Sequence, residues 1–358
     1  MKKKYLLIGQ ENTILSLNKL FKNTNEIECK QIEQLIDIEA MWWLKNADAY
    51  FISGTWGSKN NFRQYSPFKK PLIVSKEEVE PHKLEKRIKD VDGKIYYDSI
   101  FAHRDFLNSF YINLAKQYNI PVIVIESPTL SRIKLNHLNG WYKETLPRYY
   151  RMGLNHWTYG KSKWCKPKSD DKLKELISLT KHHLNIDLDN IYNFKWKNNK
   201  DGDVLIVPGL ETDPTSSLKV EDFIKNTYFK IKEYTNKKIL IKAHPKSNID
   251  IKKLLNDKAI VIDSNTQLYQ LKSRLYCAII DNSTSIFQLI NLGIPVITSK
   301  DSFGHLLKNT EINKINDLHY ATQKEVFEWY KKMSYTEFLI SDFSDIKIIN
   351  YIQELLND

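Results

Sequence analysis

A chain of 358 residues with 42% hydrophobic content is too long for one small core and too apolar for global disorder. Its longest apolar runs are strand-length, which excludes a helix carrying the ~20 apolar residues that crossing a bilayer requires. Lys and Arg outnumber Asp and Glu by 54 to 43, a net charge of +11; such a field favours anionic partners (nucleotide, nucleic acid, acidic glycan or membrane surface) and serves plain solubility equally well. Cys29, Cys165 and Cys277 are far apart and lack metal-ligand spacing, so they fit a reducing compartment, and the cytoplasm is the expected location.

The opening MKKKYLLIGQEN has too short an apolar run for a signal peptide and reads as a first strand over 5–9 behind a solvated basic tip. Further strands are predicted at 49–53, 71–74, 94–97 and 121–126. Between the last two, Phe106, Leu107, Phe110, Tyr111 and Leu114 fall at helical spacing over 106–118, giving a strand–helix–strand unit. Residues 161–203 are polar and rich in Lys, Asp and Asn, with one helix near 172–184 and no strand pattern, as befits a connection. Alternation restarts with strands at 203–207, 238–242, 259–263, 276–280 and 295–298, and Phe223, Thr227 and Ile231 mark a helix between the first two. From about residue 323 the pattern is helical to the end. The expected fold is therefore α/β: two Rossmann-like domains with mostly parallel sheets facing a cleft, at 1–165 and 203–322, with a linker at 166–202 and C-terminal helices at 323–358. Ligands in such sheets sit at strand C-termini.

Two segments of the second half place chemistry there. In Ile239-Leu-Ile-Lys242-Ala-His244-Pro245-Lys246 a buried strand is stopped by Pro245, delivering Lys242 and His244 to its C-terminal end. In Ile280-Asp281-Asn282-Ser283-Thr284-Ser285 a strand runs into hydroxyls that open a helix with Ile286, Leu289 and Ile290 on one side, ended by Gly293 before Pro295-Val296 starts the next strand. Hydroxyls at a helix start either cap its N–H groups or, beside a ligand, bind phosphate with the helix dipole. His244 alone reads equally as a packed or surface histidine. A third segment, Val207-Pro208-Gly209-Leu-Glu-Thr212-Asp-Pro-Thr-Ser216, is a turn toward a helix whose Thr212 and Ser216 are also candidate phosphate donors.

The order "His-Pro after a strand, then Asn-Ser-Thr-Ser opening a helix that ends Leu-Gly-Ile-Pro-Val" resembles glycosyltransferases of the GT-B fold. The nearest groups are bacterial capsule polysaccharide synthesis proteins, sialyltransferases and Kdo transferases, with related enzymes in large DNA phages. The resemblance is clearest over residues 204–306 and fainter over 120–164. It implies that His244 contacts the donor phosphate or ribose and that Ser283, Thr284 and Ser285 hold the donor phosphates; Asn282, Lys242, Thr212 and Ser216 are further donor-site candidates from their positions. In capsule-type relatives a strand ending Glu-His-Gly precedes a Gly-Val-Asn stretch. Here Glu126 is followed by Ser127-Pro128, and Gly153-Leu154-Asn155 comes later.

Sugar transfer requires a base for the acceptor hydroxyl and stabilisation of the departing phosphate. The second task suits Lys242, His244 and Ser283–Ser285 without a metal or other cofactor, the nucleotide sugar being a co-substrate. The Asp-x-Asp pairs at Asp90/Asp92, Asp187/Asp189 and Asp201/Asp203 precede strands or lie in the linker. The base is expected from the first domain. Glu126, ending its strand, is the first choice, although a carboxylate there equally caps a neighbouring loop. Asp92 of Asp-Val-Asp-Gly is the reserve, because bacterial sialyltransferases use an acidic Asp-Gly-type motif. For the acceptor, the charge and the aromatic–cation run containing Arg148, Arg151 and Trp157 favour a hydroxymethylated base in DNA. A surface polysaccharide is the alternative, and a non-enzymatic nucleic-acid-binding protein the third reading. The same run also reads as packed structure beneath the cleft.

Overall fold

The computed structural model describes residues 2–8, 12–32, 46–53, 115, 118–126, 149–156, 159–183, 188–210, 219–245, 247–256, 258–281 and 283–357. The strands expected at 71–74 and 94–97, and nearly all of the helix expected at 106–118, lie outside them.

The first sheet begins with β1 (Lys3–Ile8), α1 (Asn12–Lys22), β2 (Ile27–Ile32), β3 (Ala49–Ser53) and β4 (Val122–Glu126). Its order is β11-β5-β4-β3-β1-β2. The β1–β2, β1–β3 and β3–β4 pairs are parallel, while β5 (Tyr149–Leu154) and β11 (Glu337–Leu339) add antiparallel pairing at one side. Tyr5 and Leu7 of β1, Phe51 of β3 and Ile123 and Ile125 of β4 alternate toward one face, against Ile14, Leu17 and Phe21 of α1. The rings of Tyr5, Phe21 and Phe51 meet at centroid distances of 5.1–5.3 Å.

The second sheet is wholly parallel, in the order β10-β9-β6-β7-β8. Its strands are β6 (Asp203–Val207), β7 (Ile239–Lys242), β8 (Ile260–Ile262), β9 (Leu275–Ile280) and β10 (Val296–Thr298). β9 is buried at every position, as expected of a strand covered on both faces. α3 (Val220–Tyr234) covers one face with Phe223, Ile224, Thr227 and Ile231, and α4 (Ser285–Asn291) covers the other with Ile286, Leu289 and Ile290. The architecture is thus α/β with two mostly parallel Rossmann-like sheets, as the alternation predicts.

One expectation is met and one needs correction. The connection contributes α2 (Asp171–His183), where a helix near 172–184 is expected, and its Leu173, Leu176 and Ile177 join Ile191 and Phe194 in the same core as the second sheet. Its polarity belongs to the exposed face of an amphipathic helix. The C-terminal stretch is not helical throughout. α5 (Gln323–Ser334) packs Val326, Trp329 and Tyr330 into the second-sheet core, with Trp329 stacked on Phe287 at 5.0 Å. The chain then returns to the first sheet as β11, and α6 (Lys347–Asn357) buries Ile348, Ile352 and Leu355 beside Phe338. A strand of three residues is too short to show a period of two, so only its pairing with β5 defines it.

Candidate functional site

In the second sheet the chain runs from the central β6 outward to β7 and β8, then returns to the opposite side of β6 for β9 and β10. The connections leaving β6 and β9 therefore diverge, and that switch point is where open parallel sheets bind ligands. Every strand of this sheet is parallel, so the segments after β6, β7, β9 and β10 emerge along one edge. β7 and β9 flank β6, which sets their ends about 10 Å apart at the usual strand spacing. His244 and Ser283–Ser285 thus stand on either side of the β6 terminus. At that terminus, a Cβ added to Gly209 would meet nothing within 4 Å.

Ser283, Thr284 and Ser285 are half-buried. Thr284 occupies the N-cap of α4 in a helical backbone conformation and makes no side-chain cap bond. Ser283 instead accepts from the Ser285 N–H at 3.3 Å and donates to the Ser285 hydroxyl at 3.1 Å. The capping function therefore falls on Ser283. At the other end of α4, Gly293 has φ +76, and a Cβ there would come within 2.5 Å of the Lys195 carbonyl. That close approach fixes glycine in Leu-Gly-Ile-Pro.

His244 is half-buried immediately after β7, and its carbonyl accepts from Ser247 N–H at 2.9 Å. The Lys242 ammonium donates to the Ser264 carbonyl at 2.7 Å, on the β8 side. Burial draws its pKa below the ordinary lysine range, and Asp263 opposes the shift. Lys242 therefore ties down the turn after β8 while adding positive potential to the sheet edge. Asp203, at the opposite end of β6, is bound to Arg274 Nε at 2.5 Å.

Sequence reasoning left the segment after β10 unassigned. Thr298 and Ser299 donate their hydroxyls to the Asp281 carbonyl at 3.1 and 3.3 Å, locking the ends of β9 and β10 together. A Cβ on Gly304 would lie 2.1 Å from Ile286 Cδ1, so any side chain there would push Ile286 at the start of α4 aside. His305 Nδ1 lies 2.8 Å from the Ser302 carbonyl, which places the proton on Nδ1. A Gly-His pair shortly after a strand was the available signal. The Tyr159 ring lies 5.7 Å from that of His305, Gly160 N–H donates to the Asp301 carbonyl at 3.1 Å, and Lys161 pairs with Asp301 at 2.7 Å. Residues from the first half thereby dock onto this turn.

In the first sheet, Glu126 ends β4 directly opposite Arg151 of β5, and Glu337 of β11 faces Arg151 from the other side. Arg151 is 5% exposed, and its guanidinium carbon lies 5.3 Å from the centre of the Phe303 ring. Arg151 thus takes the packed reading rather than that of an exposed acceptor contact: the aromatic–cation run contains a buried strand. Arg148, Trp157, Asp92, Asn282, Thr212 and Ser216 lie outside the described residues, as does the side chain of Glu126.

No protein-family model matches this sequence, and no curated protein matches it. Among solved structures, the chain is similar to Thermosulfurimonas dismutans KpsC, β-Kdo 2,7 transferase, at 11% identity and a TM-score of 0.43, over 98% of this chain and 99% of that one. The T. dismutans KpsC β-Kdo 2,4 transferase is similar at 14% identity and a TM-score of 0.42, over 91% and 89% of the two chains. The S. aureus MnaA–UDP co-structure is similar at 12% identity and a TM-score of 0.30, over 100% and 97%. Among the described residues, no helix is long and apolar enough to cross a membrane.

Proposed function

We propose that this chain is a glycosyltransferase of surface-polysaccharide type, moving a sugar from a nucleotide-activated donor to a hydroxyl of a glycan. The observation that carries the reading is the switch point of the second sheet, with an imidazole after β7 and a hydroxyl cluster after β9 on either side of the β6 terminus. Such an edge suits a diphosphate. Hydroxyls and main-chain N–H groups receive its oxygens, and His244 donates to the phosphate as charge develops on the leaving group. No carboxylate pair has a role in this scheme, so transfer proceeds without a divalent metal. Glu126 is the proposed base, acting on the acceptor hydroxyl from the first sheet.

A glycan takes precedence over DNA as acceptor because of Arg151. The DNA reading drew on cations interleaved with aromatics over residues 141–157, and within that run Arg151 is buried between two neighbouring strands. A buried guanidinium cannot neutralise DNA phosphates. The test incubates the full chain with UDP- and CMP-activated sugars, presenting either acidic oligosaccharides or hydroxymethylated duplex DNA, in excess chelator. Transfer to oligosaccharide alone is expected. Transfer to the modified duplex alone would reinstate DNA, and activity restored only by added manganese or magnesium would overturn metal independence.

A further inference from the structure

At the β11 edge of the first sheet, away from the switch point, a cavity of about 220 Å³ opens between α2, β5, β11 and α6. In a chain of net charge +11 its lining runs against the overall sign: Glu175, Glu337, Asp342 and Asp345 face Lys172 and Lys347. Lys172 packs against aromatic rings while lying within the field of Asp342, Glu175 and Glu337. Its ammonium lies 3.6 Å from the centre of Phe338 and 5.3 Å from that of Tyr351. Four carboxylates against two ammonium groups make this lining acidic.

A second observation is independent of that charge count. Tyr149 lines the same cavity and is 9% exposed, and its buried hydroxyl makes no hydrogen bond among the described residues. Burial raises the pKa of this phenol, and Glu175, Glu337 and Asp342 add to the rise. All three carboxylates line the same cavity as the Tyr149 ring. A polar atom buried this way costs about 1–3 kcal/mol unless a partner is supplied. Among the described residues no three carboxylate, imidazole or thiol groups converge closely enough to hold a metal ion. Spread carboxylates, an acceptor-capable phenol oxygen and flanking aromatic rings match a group with several N–H donors instead.

We propose that this cavity binds the ammonium group of a small organic amine. Calorimetry on the full chain, titrated with putrescine, spermidine and glucosamine, tests it, with glucose and magnesium chloride as controls. Saturable binding of at least one amine is expected, with none of glucose or magnesium. Asp342→Asn and Tyr149→Phe should each weaken it about 10-fold or more. Because Asp342 also accepts from Leu339 N–H at 2.8 Å, Glu175→Gln on the exposed face of α2 is the variant that leaves the fold untouched, and it should weaken amine binding too. His244→Ala should leave amine affinity unchanged, which separates this site from the nucleotide edge. Absence of saturable amine binding, binding that survives all three cavity variants, or binding of glucose or magnesium in place of amines would each overturn the proposal.

Discussion

The two sheets differ in how they close at their working sides. The second is parallel throughout, and the reversal of strand order about β6 creates its candidate ligand edge from main-chain topology. The first is parallel only as far as β4. Beyond it, β5 and β11 are antiparallel, and β11 arrives from more than 170 residues later in the chain. A ligand edge can thus be assembled from local strand–loop–helix units, whereas the β5–β11 side exists only once the C-terminus has docked.

The largest expected effect breaks that docking. Phe338 is 1% exposed, lies beneath the Lys172 ammonium and meets Tyr351 edge-on at 5.1 Å. Phe338→Ala should destabilise the chain by about 3–5 kcal/mol, as truncation of a core aromatic does. Denaturant unfolding read at two probes should show the first sheet melting before the second, while nucleotide binding by the second persists at low denaturant. Loss of both together would mean that the sheets unfold as one unit.

The second effect falls on the other sheet. His244→Ala should lower turnover on the order of 100-fold, and Ser283→Ala with Ser285→Ala should weaken nucleoside-diphosphate binding, with melting temperatures little changed because these residues sit at strand ends. Unchanged nucleotide binding in every variant would remove the assignment. Glu126→Gln should lower turnover and leave donor affinity intact, since a base acts only on the acceptor proton. Near-normal turnover would pass the role to Asp92 or another first-domain carboxylate.

Arg151→Ala sharpens the contrast between buried and functional cations. Removing one partner from a buried charged arrangement costs about 3–5 kcal/mol, so a clear loss of thermal stability is expected, with no change in the salt dependence of any DNA binding. A stable variant with weakened duplex binding would restore the DNA reading.

The smallest effect concerns the start of α5. Thr322 accepts from Glu325 N–H at 3.2 Å, and Glu325 accepts from Thr322 N–H at 2.8 Å, a reciprocal cap. Thr322→Ala should cost about 1 kcal/mol. Hydrogen bonds from Lys308 and Thr322 hold the Glu325 carboxyl at a pKa of about 2, below its ordinary 4.5. A depressed carboxylate stabilises the fold above the unfolded pKa and loses that contribution as pH falls through the folded one. The difference in melting temperature between the wild type and Glu325→Gln should therefore shrink between pH 4.5 and 2. A pH-independent difference would mean that the cap does not depend on the charge.

Some of this was legible in the residues alone. Strands such as Ala49–Ser53 and Asp203–Val207 announce themselves because both faces or alternate positions are apolar and turn residues bound them. The helix that opens at Ser285 and stops at Gly293 is equally local, since a left-handed φ of +76 all but requires glycine. His244, Ser283 and Ser285 could be placed at strand ends for the same reason. What sequence spacing determined is every feature whose cause lies within about ten residues. The tertiary structure alone decided that Glu337 and Arg151 are neighbours, that Lys242 is spent on the Ser264 carbonyl, and that Arg151 is sheet interior rather than surface. Each of these depends on a partner distant in the chain, and composition near Arg151 is the same whether β11 covers it or not. Pairing across such separations is set by which edges remain unsatisfied after the local units form, a property of the assembled sheet and not of any segment in it.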